Sequence, residues 1–514
     1  MRHIFPLFIL LSCLLTFLPG CEPKEDMMQT TGSLEFATDT VLFDTVFTTI
    51  KTVTKRLWVY NRNGGAVKTD VSLRGISGNT YALIINGDAG PALSGVTIRG
   101  NDSLLVLVRA TLGDNGTAAK PFLVTDEVHF LTNGNDQNVK LVAYGQNAYF
   151  HNGQVLPCNS VWRNDKPHVI FNSVQIDSNC TLRIMPGTKV YSHAGSAIIV
   201  MGTLIVNSPT DYRPGTSLTP PFDTVKANNR NIVRFQGDRL EPFYNDIPGQ
   251  WGGIIFTSTS HSNLIRYAEI KNSTFGAFLY NPDAVLPHPT LNLENTVIKN
   301  ISGSQVSFSN ASASTGGGVI SYSGDVTATN CLFTNCGEYA MIGLGGVYSL
   351  NFCTIANYTP SFQRETSSLT FTNTDDSKPG VKLPTSVSIR NSVVWGSYED
   401  ELFFQNNGTA SFPTPIVRNS LLRTQEYKAT TDAAGKPGLA ATGLNNLVNV
   451  PDPLFVRTTL FGSSADYRFQ ATSPAVSPIR PYDSTPPVLP VPARDLLNLP
   501  RNANAPTIGA YEYR

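Results

Sequence analysis

Six stretches between residues 266 and 424 share one pattern of apolar and small side chains and align without gaps. Small side chains form a reference column, spaced by 28, 35, 22, 39 and 28 residues: Ala268, Thr296, Cys331, Cys353, Ser392 and Ser420. An apolar column stands two residues later: Ile270, Ile298, Phe333, Ile355, Val394 and Leu422. Another stands three residues before the reference: Ile265, Leu293, Ala328, Leu350, Ile389 and Val417.

Side chains of a strand alternate between its two faces, so positions −3, 0 and +2 cannot all point inward along one straight strand. The chain must bend between −3 and 0. Four copies carry asparagine at −1: Asn295, Asn330, Asn391 and Asn419. Asparagine tolerates the left-handed backbone better than other non-glycine residues, so this column predicts a one-residue corner between two strands.

A second polar column, at +4, marks the expected end of the second strand: Asn272, Asn300, Asn335, Asn357, Gly396 and Thr424. Short strands joined by tight bends and recurring every 22 residues or more are typical of a parallel β-solenoid. At ~4.8 Å per coil, roughly ten coils between residues 160 and 430 would form a rod about 50 Å long. Stacked asparagine amides would hydrogen-bond along it. A β-sandwich with coincidental spacing is the alternative.

Two further columns should face outward, and they are more apolar than a solvated surface. Position +1 holds Glu269, Val297, Leu332, Thr354, Val393 and Leu421, and position +3 holds Lys271, Lys299, Thr334, Ala356, Trp395 and Arg423. Inserts, a neighbouring subunit or a ligand must cover this face, and the inserts are the simplest candidate. Trp251 and Trp395, with Lys271, Lys299 and Arg423, are candidates for stacking on a sugar ring. Aromatic side chains lying over loop backbone are the commoner outcome.

Residues 31–148 follow a different rhythm, with about seven short alternating runs separated by Gly, Asn and Asp. This is the size of an immunoglobulin-like β-sandwich. The runs Trp58–Asn61, Asp102–Val108 and Leu141–Gly145 resemble immunoglobulin-like modules of the abnormal-spindle-like type, which are mostly spacers or binding platforms. Alternatively, these strands form the N-terminal cap of the solenoid.

The N-terminus has the features of an exported precursor: Arg2, an apolar run from Ile4 to Leu18, and Leu18-Pro19-Gly20-Cys21. The last four residues resemble the lipobox of bacterial lipoproteins, which implies removal of residues 1–20 and acylation of Cys21. Residues 21–30 are then a flexible linker. The charged residues behind Cys21 resemble the tag that sends lipoproteins to the outer face of the outer membrane. Such a charge cluster is also typical of a solvated linker.

The run from Thr181 to Asn207, the segment Gln250–Ile254 and the repeats resemble the right-handed parallel β-helix proteins of bacterial cell surfaces, a pectate-lyase-like superfamily. The close of the chain resembles their C-terminal coil at Asp452–Phe455, Asp466–Arg468 and Ile508–Glu512. The resemblance implies an all-β chain with a β-helix over 160–435 and a C-terminal coil and cap over 436–514. It implies activity only weakly, because this scaffold carries lyases, hydrolases, tailspikes and adhesins.

The sequence offers few groups for catalysis. The seven histidines are scattered, and no zinc-protease, phosphate-loop or nucleophile-elbow motif is present. On this scaffold, inverting hydrolases need two carboxyl groups, and lyases often use a basic residue with carboxylate-bound calcium. The weak candidates are Asp375, Asp376, Glu399, Asp400 and Glu401, which solvated loops also explain. Otherwise no cofactor or metal is expected.

Charge and cysteine content narrow the partners and the compartment. The formal net charge is zero, so no basic excess supports nucleic-acid binding. Seven cysteines fall to five once Cys13 is removed and Cys21 is acylated, which argues against a complete disulfide framework. Cys331 and Cys353 are expected to be buried free thiols. Cys158 and Cys180 could pair in an oxidising compartment.

These observations favour a non-catalytic outer-membrane lipoprotein, facing the cell surface or the periplasm, that binds glycans or mediates adhesion through one face of its solenoid. Its partners would be the membrane, through the lipid, and a polysaccharide or surface protein. A polysaccharide lyase or inverting glycoside hydrolase is the first alternative. A structural component of an envelope assembly is the second, and the sequence leaves the oligomeric state open.

Overall fold

The computed structural model describes residues 27–48, 52, 54–114, 116, 121–211, 231–303, 316–359, 364–375, 378, 380–433, 435–459, 465–476, 483 and 485–513. The predicted signal segment 1–20, Cys21 and Asp376 lie outside these residues. The chain divides into two compact units, 1–147 and 148–514. Over the described residues both are all-β, as predicted, apart from short 3₁₀ turns at Gly78–Thr80, Pro209–Asp211, Pro242–Tyr244, Thr442–Leu444 and Pro474–Val476.

The first unit contains two five-stranded sheets around one apolar core. Its strands are β1 (Glu35–Phe36), β2 (Thr40–Phe47), β3 (Lys55–Tyr60), β4 (Val67–Leu73), β5 (Tyr81–Ile85), β6 (Asp88–Gly90), β7 (Ala92–Ile98), β8 (Ser103–Ala110), β9 (Phe122–Thr132) and β10 (Asn135–Gln146). The sheet orders are β1-β3-β8-β5-β6 and β2-β10-β9-β4-β7. The described strands number ten rather than about seven, because the sequence prediction omitted β6, β7 and β9. Polar residues obscured the alternation in β9, where Asp126 is buried and binds the turn at Gly75 and Ile76.

The second unit consists mainly of parallel strands, which form a nine-stranded and an eighteen-stranded sheet. We call the nine-stranded sheet the A face and divide the larger sheet, by its strand pairings, into a B face and a C face. The A face contains β12 (Ser160–Trp162), β14 (Thr181–Ile184), β17 (Thr203–Val206), β20 (Asn263–Arg266), β23 (Thr290–Glu294), β26 (Asp325–Thr329), β29 (Gly346–Asn351), β32 (Thr385–Arg390) and β35 (Ile416–Arg418). The B face contains β15 (Lys189–Ser192), β18 (Val233–Gly237), β21 (Ala268–Lys271), β24 (Val297–Ile301), β27 (Leu332–Cys336), β30 (Thr354–Asn357), β33 (Val393–Gly396), β36 (Leu421–Leu422) and β37 (Leu447–Val448).

The C face contains β16 (Ala197–Val200), β19 (Gly253–Thr257), β22 (Ala277–Tyr280), β25 (Gly317–Tyr322), β28 (Tyr339–Leu344), β31 (Leu369–Thr372) and β34 (Leu402–Gln405). At the start of the unit, β11 (Tyr149–Val155) pairs with β13 (His168–Ile176), whose two halves pair with β15 and β16. From β14 to β33, each strand pairs in parallel with the third strand after it. A hairpin of β38 (Phe455–Arg457) and β39 (Asp466–Phe469) follows.

The register confirms the sequence alignment. On the A face, Ile265 pairs with Leu293, and the same column continues through Ala328, Leu350, Ile389 and Val417. On the B face, Ile270 begins the column that continues through Ile298, Phe333, Ile355, Val394 and Leu422. These side chains are buried in one continuous core.

The predicted corner is also confirmed. Every residue at −1 has a left-handed φ, between 44° and 55°: Tyr267, Asn295, Asn330, Phe352, Asn391 and Asn419. Amide ladders run along the stack, as expected. Asn419 Nδ2 donates to Asn391 Oδ1 at 2.8 Å, and Asn391 Nδ2 donates to Asn351 Oδ1 at 2.9 Å. A second ladder links Asn335 to Asn300 at 2.8 Å and Asn300 to Asn272 at 3.3 Å.

The apolar outward columns of the B face are covered by the C-terminal segment, which is the described part of residues 450–513. The expectation that inserts cover these columns was therefore wrong. Residues from this segment form a second core with the outward residues of the B face: Phe455, Tyr467, Phe469, Leu496, Ile508 and Ala510 with Val297, Leu332, Ala356, Val393, Trp395 and Leu421. The segment therefore lies along the side of the stack. It could not be foreseen from the repeat, because it does not share the repeat's period.

The corner asparagines hold this segment in place. Asp483 N donates to Asn391 Oδ1 at 3.1 Å, and Asn351 Nδ2 donates to the Pro490 carbonyl at 3.0 Å. The amides of Asn330 and Asn295 then donate to the carbonyls of Arg494 and Asp495 at 2.6 and 3.1 Å. Asp483 and residues 485–495 thus run along the corner from later strands to earlier ones. Arg390 adds a buried ion pair to Asp483 at 3.0 Å.

The structure confirms the expected free thiols and shows how the remaining two described cysteines pair. Cys331, Cys336 and Cys353 are buried free thiols. Cys158 and Cys180, whose pairing the sequence left open, form a disulfide that closes a loop of 22 residues at the start of the stack. Closing a loop of this length stabilises a fold by about 3 kcal/mol in the chain-entropy description.

Substitution of Asn419 should separate the two roles of a corner asparagine. Asn419→Gly keeps the left-handed φ but removes the bonds to Asn391 and from Asn445, so we expect a loss of roughly 2 kcal/mol in the free energy of unfolding. Asn419→Ala adds left-handed strain and should cost roughly 1 kcal/mol more. Urea unfolding measures both. Equal stability of the two variants would show that the left-handed φ imposes no cost at this corner.

The buried pair His151 and His168 should make the second unit acid-sensitive. Their ring nitrogens are 2.9 Å apart, and both rings stack on Trp162. Burial lowers the pKa of His151 to about 4, and burial together with His151 lowers the pKa of His168 to about 3. The unfolded chain, with a pKa near 6.5, therefore takes up protons first as the pH falls.

Stability should be complete above pH 6.5 and decline as the pH falls toward 4, by up to roughly 2 kcal/mol per histidine at pH 5. Denaturant unfolding followed by tryptophan fluorescence measures this slope. The double variant His151→Phe/His168→Phe keeps the ring stack without titrating, so its slope between pH 6.5 and 5 should be much flatter. The same slope in both proteins would contradict the assignment.

Candidate functional site

A cavity of about 690 Å³ opens where the outward columns of the B face meet the C-terminal segment. The strands and the turns after them contribute Tyr358, Trp395, Glu399, Arg423, Gln425 and Asn449, and the C-terminal segment contributes Asp452, Phe455, Val456, Arg457 and Thr458. The size is typical of small-molecule sites. The cavity brings together Trp395 and Arg423, which the sequence singled out as ligand-binding candidates, and Glu399, one of its acidic candidates.

Trp395 and Arg423 form the floor of this cavity. Trp395 lies in the +3 column, in register with Ala356 on the preceding strand, and its side chain is largely buried. The Arg423 guanidinium lies 5.7 Å from the centre of the Trp395 ring and donates to the Gly396 carbonyl. A guanidinium held by a ring and a carbonyl is preorganised, so little side-chain entropy is lost when its remaining N–H groups bind a ligand.

Two further aromatic rings line the cavity. Tyr358 follows the β30 strand, and Phe455 belongs to the β38 strand; their ring centres are 6.4 Å apart in an edge-to-face arrangement. Burial, with a smaller contribution from Asp452, raises the pKa of Tyr358 well above its usual value. Tyr358 therefore presents a neutral hydroxyl group at any physiological pH.

The three adjacent acidic candidates have three different environments. Glu399 is exposed and lines the cavity. Asp400 Oδ1 accepts bonds from Thr424 Oγ1 and from the backbone N–H groups of Gln425 and Glu426, at 2.6 to 2.9 Å, so it fixes the turn after the β36 strand.

Glu401 is fully buried and holds the interior of the fold. Its carboxylate accepts bonds from Arg364 Nη2 at 2.6 and 2.8 Å and from the backbone N–H of Tyr398 at 2.9 Å. A Cβ on Gly396 would approach Glu401 Oε1 to 2.2 Å, which explains glycine at this +4 position. A carboxylate paired in this way is committed to structure, so Glu399 alone of the three faces the cavity.

The remaining acidic candidates lie elsewhere. Asp375 follows the β31 strand on the C face and does not line the cavity. Asp376 is outside the described residues. The structure therefore does not bring Asp375 together with Glu399.

The other ligand-binding candidates also lie outside the cavity. Trp251 is 1% exposed, and its indole N–H donates to the Lys271 carbonyl at 3.0 Å, so its ring offers no face to a sugar. Lys271 and Lys299 are in register on the B face. Lys271 Nζ donates to the Asn245 carbonyl at 3.1 Å, and Lys299 Nζ lies 2.7 Å from Glu269 Oε1. Burial opposes ionisation of Glu269, but Lys299 and Lys271 outweigh it and lower its pKa to about 2.

Sequence reasoning missed Tyr358, Asp452 and Arg457. Asp452 and Arg457 belong to the C-terminal segment, whose path over the B face has no periodic signal. Tyr358 stands one residue beyond the Asn357 that ends its strand, outside the aligned columns. The resemblance of Asp452–Phe455 to a C-terminal coil gives no sign that this run lines a cavity.

Within the described ranges, no group of three or more His, Cys, Asp or Glu side chains is placed to hold a metal ion. Over the same residues, no helix has the length and apolarity to cross a membrane.

Comparisons with known proteins give little guidance. No family model and no curated protein matches the chain. Among solved structures, it is similar to a family 123 glycoside hydrolase from Clostridium perfringens, studied for glycolipid glycan hydrolysis, with 8% identity and a TM-score of 0.17. The match covers 24% of this chain and 26% of that one, so it spans about a quarter of the hydrolase. Such a score carries no argument about fold or function.

Proposed function

We propose that the protein is a lipid-anchored, non-catalytic glycan-binding protein whose ligand occupies the cavity lined by Trp395, Glu399 and Arg423. The observation that carries this proposal is the cavity itself, because it combines aromatic walls with guanidinium, carboxylate and amide groups. A concave site in which precisely placed polar groups stand beside aromatic rings is typical of small-ligand binding. Hydroxyl groups of a sugar can both donate to carboxylates and accept from guanidinium groups.

We also propose that the second unit winds as a right-handed parallel β-helix over about 160–435. The first unit is then an immunoglobulin-like spacer over about 31–148. Support for the helix comes from the pairing of each strand with the third strand after it. The two sheets around one core support the spacer. In this arrangement residues 436–514 include the segment that forms one wall of the cavity.

Charge complementarity does not favour one strongly charged ligand. The cavity presents Glu399 and Asp452 against Arg423 and Arg457. Asp452 Oδ1 already accepts the Leu454 N–H at 2.7 Å, and Asn449 is engaged with the backbone of Thr424 through both of its amide atoms. Gln425 Oε1 likewise accepts a bond from Lys428 Nζ at 2.8 Å. We therefore expect the charged side chains of Arg423, Arg457 and Glu399 to contact the ligand most directly.

A catalytic role is the second candidate, and one observation favours it: Glu399 and Asp452 line the same cavity. An inverting glycoside hydrolase needs such a pair, one carboxyl as acid and one as base. A polysaccharide lyase would add a basic residue, for which Arg423 is placed, and calcium on the carboxylates. Turnover that is lost in both Glu399→Gln and Asp452→Asn would replace the binding proposal with this one.

Membrane attachment rests on the lipobox-like run ending at Cys21 and on the reading of the charged residues behind it as a surface tag. Two or more acyl chains, buried at ~0.8 kcal/mol per methylene, hold a protein on its membrane for practical purposes. An outer-membrane location, facing the cell surface, would bring the cavity to extracellular polysaccharide.

Cys21→Ser should abolish lipidation. In an expressing Gram-negative host, we expect the unaltered chain to be recovered with membranes and its N-terminal peptide to carry the mass of an acylated cysteine. The Cys21→Ser chain should lack this mass and leave the membrane fraction. Cys13→Ser, within the predicted signal segment, is the matched control, and this variant should still be acylated at Cys21. An unmodified Cys21 in the mature protein would refute the anchor.

Glycan binding should depend on the cavity arginines. Isothermal titration of the purified full chain with hexasaccharides of galacturonic acid, xylose and glucose should identify at least one that binds. We expect Arg423→Ala and Arg457→Ala to weaken that binding by roughly ten-fold or more, because each removes charge-assisted hydrogen bonds. Reducing-end assays on the same mixtures measure turnover.

Arg468→Ala is the matched control, since Arg468 lies in the same hairpin but pairs with Asp466 away from the cavity lining. This variant should bind as the unaltered chain does. Equal affinity in all four proteins would place the ligand elsewhere, and failure of every hexasaccharide to bind would count against glycan recognition.

A further inference from the structure

We infer that Tyr467 is a positioning residue for the cavity: it holds the hairpin that forms one wall against the B face without lining the cavity itself. This inference rests on the proposed function, because its consequence is a change in ligand affinity. It assigns a role to a side chain that neither the repeat nor the cavity lining identifies.

The two strands of the β38–β39 hairpin differ in what their side chains contact. Phe455 pairs with Phe469, and Arg457 pairs with Asp466. Phe455, Val456 and Arg457 of the first strand line the cavity. Tyr467 stands on the second strand, is only 4% exposed, and packs with Phe455 and Phe469 in the core beneath the hairpin. Its side chain therefore faces the stack.

A buried hydrogen bond ties Tyr467 to the B face. Thr334 Oγ1 donates to the Tyr467 hydroxyl oxygen at 2.7 Å. Thr334 occupies the +3 column, in register with Ala356, which is in register with Trp395 on the next strand. The bond thus fixes the hairpin to the same column that supplies the cavity floor.

Tyr467 also contacts two aromatic rings that line the cavity. The Tyr467 ring is parallel to the Tyr358 ring, with centres 6.2 Å apart, and edge-to-face with the Phe455 ring at 5.5 Å. Tyr358 and Phe455 both line the cavity. A shift of Tyr467 would therefore move two lining rings and, through the β38 strand, Arg457.

Tyr467→Phe removes the hydroxyl and keeps the ring, and it leaves the buried Thr334 hydroxyl without this partner. We expect the affinity for whichever hexasaccharide the unaltered chain binds to fall roughly five-fold, the effect of one lost buried hydrogen bond. Hydrogen exchange of the backbone amides of residues 454–457 should become faster. Thr334→Val should produce both effects, and Thr334→Ser, which retains the hydroxyl, should restore both toward the unaltered values.

Tyr427→Phe is the matched control for a general loss of stability. The Tyr427 hydroxyl also makes a buried bond, accepting from the Phe404 N–H at 2.8 Å, but it lies outside the hairpin and the cavity lining. This variant should lower the unfolding midpoint and leave affinity unchanged. If Tyr467→Phe binds the hexasaccharide as tightly as the unaltered chain, the positioning role is refuted. If the unaltered chain binds none of the hexasaccharides, the proposed function fails first, and unaltered hydrogen exchange at 454–457 in Tyr467→Phe would refute the role of Tyr467 separately.

Discussion

The second unit depends on one backbone conformation: the left-handed residue that separates an A-face strand from the B-face strand that follows it. Without this corner, side chains at −3 and +2 could not both enter the core, because a straight strand would turn one of them outward. All six aligned copies adopt it, including the two that use Tyr267 and Phe352 rather than asparagine. Once the corner fixes which side chains point inward, it also fixes the outward columns and therefore the floor of the cavity.

Asparagine stabilises this corner more than glycine would because its side-chain amide also forms hydrogen bonds. Glycine would adopt the same φ with less strain. The amide of Asn391, however, accepts the N–H of Asp483, receives a bond from Asn419 and donates to Asn351. The same residues that turn the chain thus connect neighbouring strands and hold the C-terminal segment. This shared use explains how Asp483 and residues 485–495, which have little regular structure, are held along the corner.

Much of the stacked region could be predicted from sequence, because its information is periodic and local. The columns, the asparagine corners, the amide ladders and the buried thiols all follow from residue type and spacing. The path of the C-terminal segment could not be predicted, because its contacts join residues such as Asn295 and Asp495 that no spacing rule relates. The cavity was predicted only in part for the same reason: one wall comes from the repeats and the other from that segment.

Residue type alone could not predict which of several similar side chains lines the cavity. Glu399, Asp400 and Glu401 are chemically similar neighbours, yet one lines the cavity, one fixes a turn and one is buried with Arg364. Trp251 and Trp395 looked equally suited to a sugar, and both are buried. Trp395 nevertheless lines the cavity, whereas Trp251 lies outside it with its N–H bound to a carbonyl. Which side chains face the cavity was decided by long-range packing.

The stacking of the A face can be tested directly by pulsed electron paramagnetic resonance between nitroxides at Val161 and Ile416. Both residues are exposed, by 44% and 40%, and they lie in the same outward column on the first and last of nine paired strands. The free cysteines of the described residues are buried, so labelling at introduced cysteines should be selective. At ~4.8 Å per step, the stack predicts a narrow distribution centred at roughly 38 Å. A mean distance far below this value, or a broad distribution, would contradict it.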